Sequence, residues 1–231
     1  MQELSILYEN DHLLAVFKPA GIAVQTQKIA EADMLSLVRR YLTEQGIKAS
    51  AVEIAHRLDQ PVCGVIVFAK DKETLKSLNR AFATRECTKR YYAVVAGIVE
   101  AFGETLLSGY IQKDPRQNQA VICRAREEGA KEAKLSYRTV RINRDLNRTL
   151  LDINLLTGRF HQIRAQLSDM GHPIIGDTKY GDAMTVTREK KNGIALCARY
   201  ISVKLPGDKT ETTVALSENS PEMLDFLGKW F

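Results

Sequence analysis

Between Val62 and Ala69 the chain reads Val-Cys-Gly-Val-Ile-Val-Phe-Ala, a run with no charged or strongly polar side chain. It is too short for a buried helix and is bounded by turn residues, which marks a buried β-strand. The elements around it do not follow a βαβ rhythm. Leu4–Tyr8 and His12–Phe17 read as short strands separated by the turn Glu9-Asn10-Asp11. Asp33 is placed to cap a helix whose apolar residues Met34, Leu35, Val38, Tyr41 and Leu42 share one face, ending at Gly46. Asp71 caps a second helix with Leu75, Leu78 and Phe82 inward. Extended segments are expected at Tyr91–Val99, Ala120–Arg124, Ala133–Ile142 and Thr149–Leu156. Helices are expected at Phe160–Met170 and after Ser220-Pro221, the latter burying Leu224, Leu227 and Trp230. No repeat or low-complexity linker interrupts the chain. The expectation is a single α+β domain over residues 1–231 with many antiparallel strands.

Composition limits what such a domain can do. The 231 residues are 45% hydrophobic and 26% charged, which excludes wholesale disorder. The net charge of +5 is unevenly placed. From Gln112 to Arg148 there are ten basic residues: Lys113, Arg116, Arg124, Arg126, Lys131, Lys134, Arg138, Arg141, Arg144 and Arg148. Only Asp114, Glu127, Glu128, Glu132 and Asp145 oppose them. A stripe of this kind suits a polyanion, or it is a solvated strand face whose charges pair with one another. Cys63, Cys87, Cys123 and Cys197 form no CxxC pair, so neither a zinc ribbon nor a disulfide framework is expected. Without a leader-like N-terminus or a long apolar run, the chain reads as reduced, cytoplasmic, monomeric and independent of membranes.

Three short segments concentrate chemistry. His56-Arg57-Leu58-Asp59-Gln60-Pro61 precedes the buried strand. Asp59 there is either a nucleophile or acid/base group, or a turn carboxylate capping backbone amides. In Lys89-Arg90-Tyr91-Tyr92-Ala93, alternation puts Tyr91 with Ala93 and Val95, either as a core tyrosine or as a hydroxyl serving a site. Thr157-Gly158-Arg159-Phe160-His161-Gln162-Ile163-Arg164 opens a helix, and Arg164 is either a surface residue or the partner of a carboxylate in a cleft.

These blocks occur in a recognisable order. Ile6-Leu7-Tyr8-Glu9-Asn10-Asp11-His12 and Lys18-Pro19-Ala20-Gly21 come first, then His56-Arg57-Leu58-Asp59 leading into Gly64–Lys70. The Lys89–Ala93 and Thr157–Arg164 segments follow, then Gly171-His172-Pro173-Ile174-Ile175-Gly176-Asp177 with Tyr180-Gly181. From about Ile6 to Leu205 the chain resembles the RluA-type RNA pseudouridine synthases.

That resemblance implies a mixed, largely antiparallel sheet of about eight strands with flanking helices and a central RNA-binding cleft. It implies the isomerisation of a uridine in ribosomal or transfer RNA without metal or organic cofactor. The catalytic aspartate falls on Asp59, the active-site tyrosine on Tyr91, and the arginine that ion-pairs with the aspartate on Arg164. Arg57 is implied to fill the gap left by a flipped base, and Leu196 to pack near the uracil. His56, Arg159, His161, Lys113 and Arg116 are further candidates for RNA contact. The chain departs from the family at Val62-Cys63, where relatives commonly carry Thr-Ser, and at Cys197, where many carry His. Many relatives also carry an N-terminal S4-like domain; strands beginning by about Leu4 leave none expected here. Two other readings are a non-catalytic RNA-binding domain and a hydrolase built on Cys63. Intact Asp59, Tyr91 and Arg164 weigh against the first, and the apolar setting of Cys63 against the second.

Overall fold

A computed structural model describes residues 4–27, 31–48, 50, 52–181, 193–204 and 210–231; Leu205, where the resemblance ends, lies outside them. Among the described residues there are eleven strands, three more than the resemblance implied, and four helices. They fall into two compact units, residues 1–88 with 198–223 and residues 89–197 with 224–231.

In the first unit, β1 (Ser5–Glu9), β2 (Leu13–Lys18), β4 (Cys63–Ala69) and β10 (Leu196–Val203) lie side by side. The two-residue β3 (Glu53–Ile54) joins β4, and β11 (Thr212–Ala215) joins β10. Every residue of β4 is buried, as its composition demands. Its Gly64 has φ +126°, and a Cβ there would lie 2.2 Å from the Ala198 carbonyl oxygen. Only glycine permits that approach of β4 and β10. α1 (Met34–Glu44) starts where Asp33 accepts the Ser36 N–H at 2.8 Å. α2 (Lys72–Thr84) starts where Asp71 accepts both the amide and the hydroxyl of Thr74, each at 2.8 Å. α2 buries Thr74, Leu78 and Ala81, whereas Leu75 and Phe82, expected inside, are only half-buried. Its inward stripe is rotated from the one its largest side chains suggest.

In the second unit the strand order is β5 (Cys87–Ala96), β9 (Arg148–Leu155), β8 (Lys131–Asn143), β6 (Thr105–Asp114), β7 (Gln119–Cys123). Neighbours in this order pair antiparallel. β6 carries no clear strand pattern in the sequence, because Leu106 is exposed and Gly109 breaks its alternation. α3 (Gln162–Asp169) is shorter than expected at both ends. Its Ala165 joins Ile111, Ala120 and Ala133 in a small core over β6, β7 and β8. α4 (Pro221–Trp230) buries Met223, Phe226 and Trp230 and leaves Leu224 56% exposed, correcting the face read from sequence. All four cysteines are free thiols.

Candidate active site

In the first unit Asp59 sits in the connection between β3 and β4, half-buried, its carbonyl accepting the Val62 N–H at 3.0 Å in a turn. The loop carrying it is tied down on both sides. His56 Nε2 accepts the Val67 N–H at 3.2 Å, and its ring lies 5.2 Å from that of Phe82. Gln60 and Gly21 exchange two bonds, Gly21 N–H to the Gln60 carbonyl at 2.8 Å and Gln60 Nε2 to the Gly21 carbonyl at 2.9 Å. Leu58 is buried, while Arg57 is exposed.

The residue that organises this region stands in the Lys18-Pro19-Ala20-Gly21 block, where the sequence alone assigns it no role. Lys18, at the end of β2, is fully buried. Its ammonium donates to the carbonyls of Pro19 at 3.0 Å, Ile22 at 2.9 Å and Gln60 at 3.1 Å. An ammonium has three protons, and each finds an acceptor. One cation thereby joins the 19–22 turn to the loop of Asp59. Burial pushes the Lys18 pKa down to about 8, and the charges of Cys63 and Asp59 oppose that fall. The available signal was position: Lys18 directly follows the apolar strand Leu13–Phe17 and opens Lys-Pro-Ala-Gly.

In the second unit Tyr91 is 7% exposed and paired opposite Ile153. Its strand neighbours face the other way, where Arg90 reaches the fully buried Asp152 carboxylate at 2.6 Å. Arg138 approaches the same oxygen at 3.4 Å. Arg164 is 4% exposed. Its Nε and Nη2 donate to the two carboxylate oxygens of Asp177 at 2.7 and 2.8 Å, a bidentate pair. Asp177 also accepts the amides of Lys179 at 3.0 Å and Tyr180 at 3.3 Å. Asp177 lies 13 residues further along the chain. In the sequence Asp177 stands in the Gly-His-Pro block, where nothing local assigns it a role.

The segment entering α3 is held to β8. Gln162 Oε1 accepts from the Thr157 hydroxyl at 2.8 Å and the Arg159 amide at 3.0 Å, while Gln162 Nε2 donates to the Lys134 carbonyl at 3.1 Å. Arg159 Nε donates to the Glu132 carbonyl at 2.9 Å. His161 takes φ +49°, unusual for a residue with a Cβ. The Tyr180 hydroxyl accepts the Ala120 N–H at 2.6 Å and is hydrogen-bonded to His161 Nδ1 at 2.8 Å. Leu196, at the start of β10, is buried. Among the described residues no three His, Cys, Asp or Glu side chains are grouped to hold a metal.

The basic stripe divides. Lys134 pairs with Glu132 at 2.6 Å, Arg138 with Asp152 and Arg144 with Glu100 at 3.0 Å. Arg141 lies over the Phe231 ring and Arg148 donates to the Trp230 carbonyl. These five serve the fold, as a self-paired strand face would. Lys113 and Arg116, at the β6–β7 end, are exposed, and neither forms an ion pair among the described residues.

Residues 12–169 match the family described as RNA pseudouridylate synthase. The chain is 33% identical over 185 residues to the dual-specificity RNA pseudouridine synthase RluA of Vibrio vulnificus, covering 78% of this chain and 71% of that protein. It is 32% identical over 238 residues to tRNA pseudouridine synthase C of Haemophilus ducreyi, covering 96% and 94%. Human RNA pseudouridylate synthase domain containing 1 has a similar structure, with a TM-score of 0.77 at 22% identity over 97% of this chain and 87% of that one. The chain spans from about half to 94% of the length of the curated relatives it matches, 53% of one and 58% of another.

Proposed function

The chain belongs to the RluA-type RNA pseudouridylate synthases, and from that premise we propose that it converts a uridine in structured RNA, ribosomal or transfer, to pseudouridine. Residues 1–231 are read as a single catalytic domain, working in the cytoplasm. The reaction breaks the C1′–N1 bond, turns the uracil and rejoins it through C5, with the C5 proton leaving and N1 gaining one. Substrate and product are isomers, so no redox partner or second substrate is consumed. Asp59 is the carboxylate that either attacks the sugar or removes a proton from it. Tyr91 packs against the base and offers a hydroxyl near the C5 proton. Arg164, its guanidinium oriented by Asp177, is the arginine that the family resemblance pairs with the catalytic aspartate. Arg57 replaces the flipped base in the stack and Leu196 packs against the uracil. Unstacking costs a few kcal/mol, so loops and single strands are the favoured targets.

The observation that carries this reading is the coincidence of the family match with an Asp59 loop anchored by Lys18, His56 and Gln60. A carboxylate serving only as a turn cap needs no such anchoring. The test is Asp59→Asn, incubated with total transfer RNA and ribosomal RNA from cells lacking the gene, with pseudouridine mapped by mass spectrometry. Turnover should vanish while RNA binding persists. Residual turnover within tenfold of wild type would overturn the assignment.

A further inference from the structure

In the second unit, Phe160 stands just ahead of α3 and is 36% exposed, an aromatic ring that the core does not use. One face stacks on the His161 imidazole, with ring centroids 3.8 Å apart and planes 19° from parallel. The Lys113 ammonium stands 4.7 Å from the same ring's centroid. A parallel ring at 3.8 Å fills its side, so the ammonium covers the opposite, outward face. The supports close on one another. His161 is held by the Tyr180 hydroxyl, that hydroxyl also takes the Ala120 amide, and Ala120 pairs opposite Lys113 across β6 and β7. The left-handed backbone of His161 is strain of the kind retained where a side chain must be aimed. Lys131, paired opposite Ile111, lies on the same face of the sheet as Lys113, so the surroundings are basic.

We propose that Phe160 and Lys113 form a subsite for a nucleotide flanking the target uridine: the base stacks on the outward face of Phe160 and the displaced ammonium moves to a backbone phosphate. The proposal deepens the function proposed above and rests on it. An ammonium over a solvent-exposed ring is a weak contact, whereas base stacking on an aromatic ring and ammonium–phosphate pairing are each stronger. The exchange leaves neither partner unmatched. Single-stranded RNA fits both groups at once; an acidic peptide would use Lys113 and leave the flat face of Phe160 idle. Because every base has a stacking face, the subsite contributes affinity with little sequence preference.

The test uses the full chain and a single-stranded oligouridine of about a dozen nucleotides carrying 2-aminopurine, moved along the probe in a series. Anisotropy reports affinity and 2-aminopurine quenching reports stacking. Phe160→Leu should weaken binding by about 5-fold or more and abolish the quench at one probe position, with the salt slope unchanged. Phe160→Tyr should restore both. Lys113→Gln, at an exposed position, should lower the slope of log K against log salt by roughly 0.7 while keeping the quench. A Phe160→Leu protein that folds, binds and quenches like wild type overturns the subsite, as does a Phe160→Tyr protein that fails to restore what Phe160→Leu loses. If the quench follows the ring but wild type forms no pseudouridine in any RNA, the catalytic reading fails and the ring remains an RNA contact. Turnover by wild type with no quench at any probe position overturns the subsite alone.

Discussion

Arg164→Met removes both bonds that the guanidinium makes to Asp177, at 2.7 and 2.8 Å, and leaves a carboxylate with no exposure to solvent. Removing one member of a buried pair costs about 3–5 kcal/mol, most of it the penalty of the charge left behind. Asp177 keeps two donors, the amides of Lys179 and Tyr180, so the lower part of that range applies, about 3 kcal/mol. Against a total stability of roughly 5–15 kcal/mol, the variant should still fold at 25 °C with a much lower midpoint in urea. Asp177→Asn combined with Arg164→Met removes the stranded charge while keeping an oxygen for the two amides. The double variant should therefore recover at least about 1 kcal/mol over Arg164→Met. Urea unfolding followed by circular dichroism, with equal m-values across the four proteins, reads the cycle directly. A loss below about 1 kcal/mol in Arg164→Met, or a double variant no more stable than it, would show that the pair does not govern this region.

Three other outcomes follow from the geometry. Gly64→Ala should cost more than about 2 kcal/mol, because its Cβ meets the Ala198 backbone at 2.2 Å and φ is +126°; a melting temperature within a few degrees of wild type would refute this. Lys18 holds its proton less tightly folded than unfolded, so more protons are bound by the unfolded chain between its folded pKa of about 8 and the ordinary 10.5. Wild type should thus gain stability across that window relative to Lys18→Met, and parallel stability–pH curves for the two proteins would contradict it. Neutralising Lys113, Arg116 and Arg124 together should shrink the salt slope of RNA binding by roughly 0.7 per lost contact, and an unchanged slope would move the phosphate track elsewhere.

What the sequence by itself determined are the features carried by neighbours along the chain. The caps at Asp33 and Asp71, the strands β1, β2 and β4, and the buried side of Tyr91 depend on side chains a few residues apart, and all were legible there. The order of the short motifs marked the family to which the chain belongs. Only the tertiary structure decided where charges go. Lys18 reads as an ordinary strand-end lysine until Ile22 and Gln60 bring their carbonyls to it. Arg164 receives Asp177 from a segment beyond its own helix. The basic stripe separates into internal pairs and exposed cations only once Glu100 and Asp152 are placed across the sheet. The faces of α2 and α4 shifted for the same reason: periodicity places apolar residues on a helix, but docking selects the stripe that is covered, and it chose Ala81 over Phe82 and Met223 over Leu224. Hydrophobic pattern is local and additive, whereas the pairing of a buried charge depends on which distant group the fold delivers within hydrogen-bond reach.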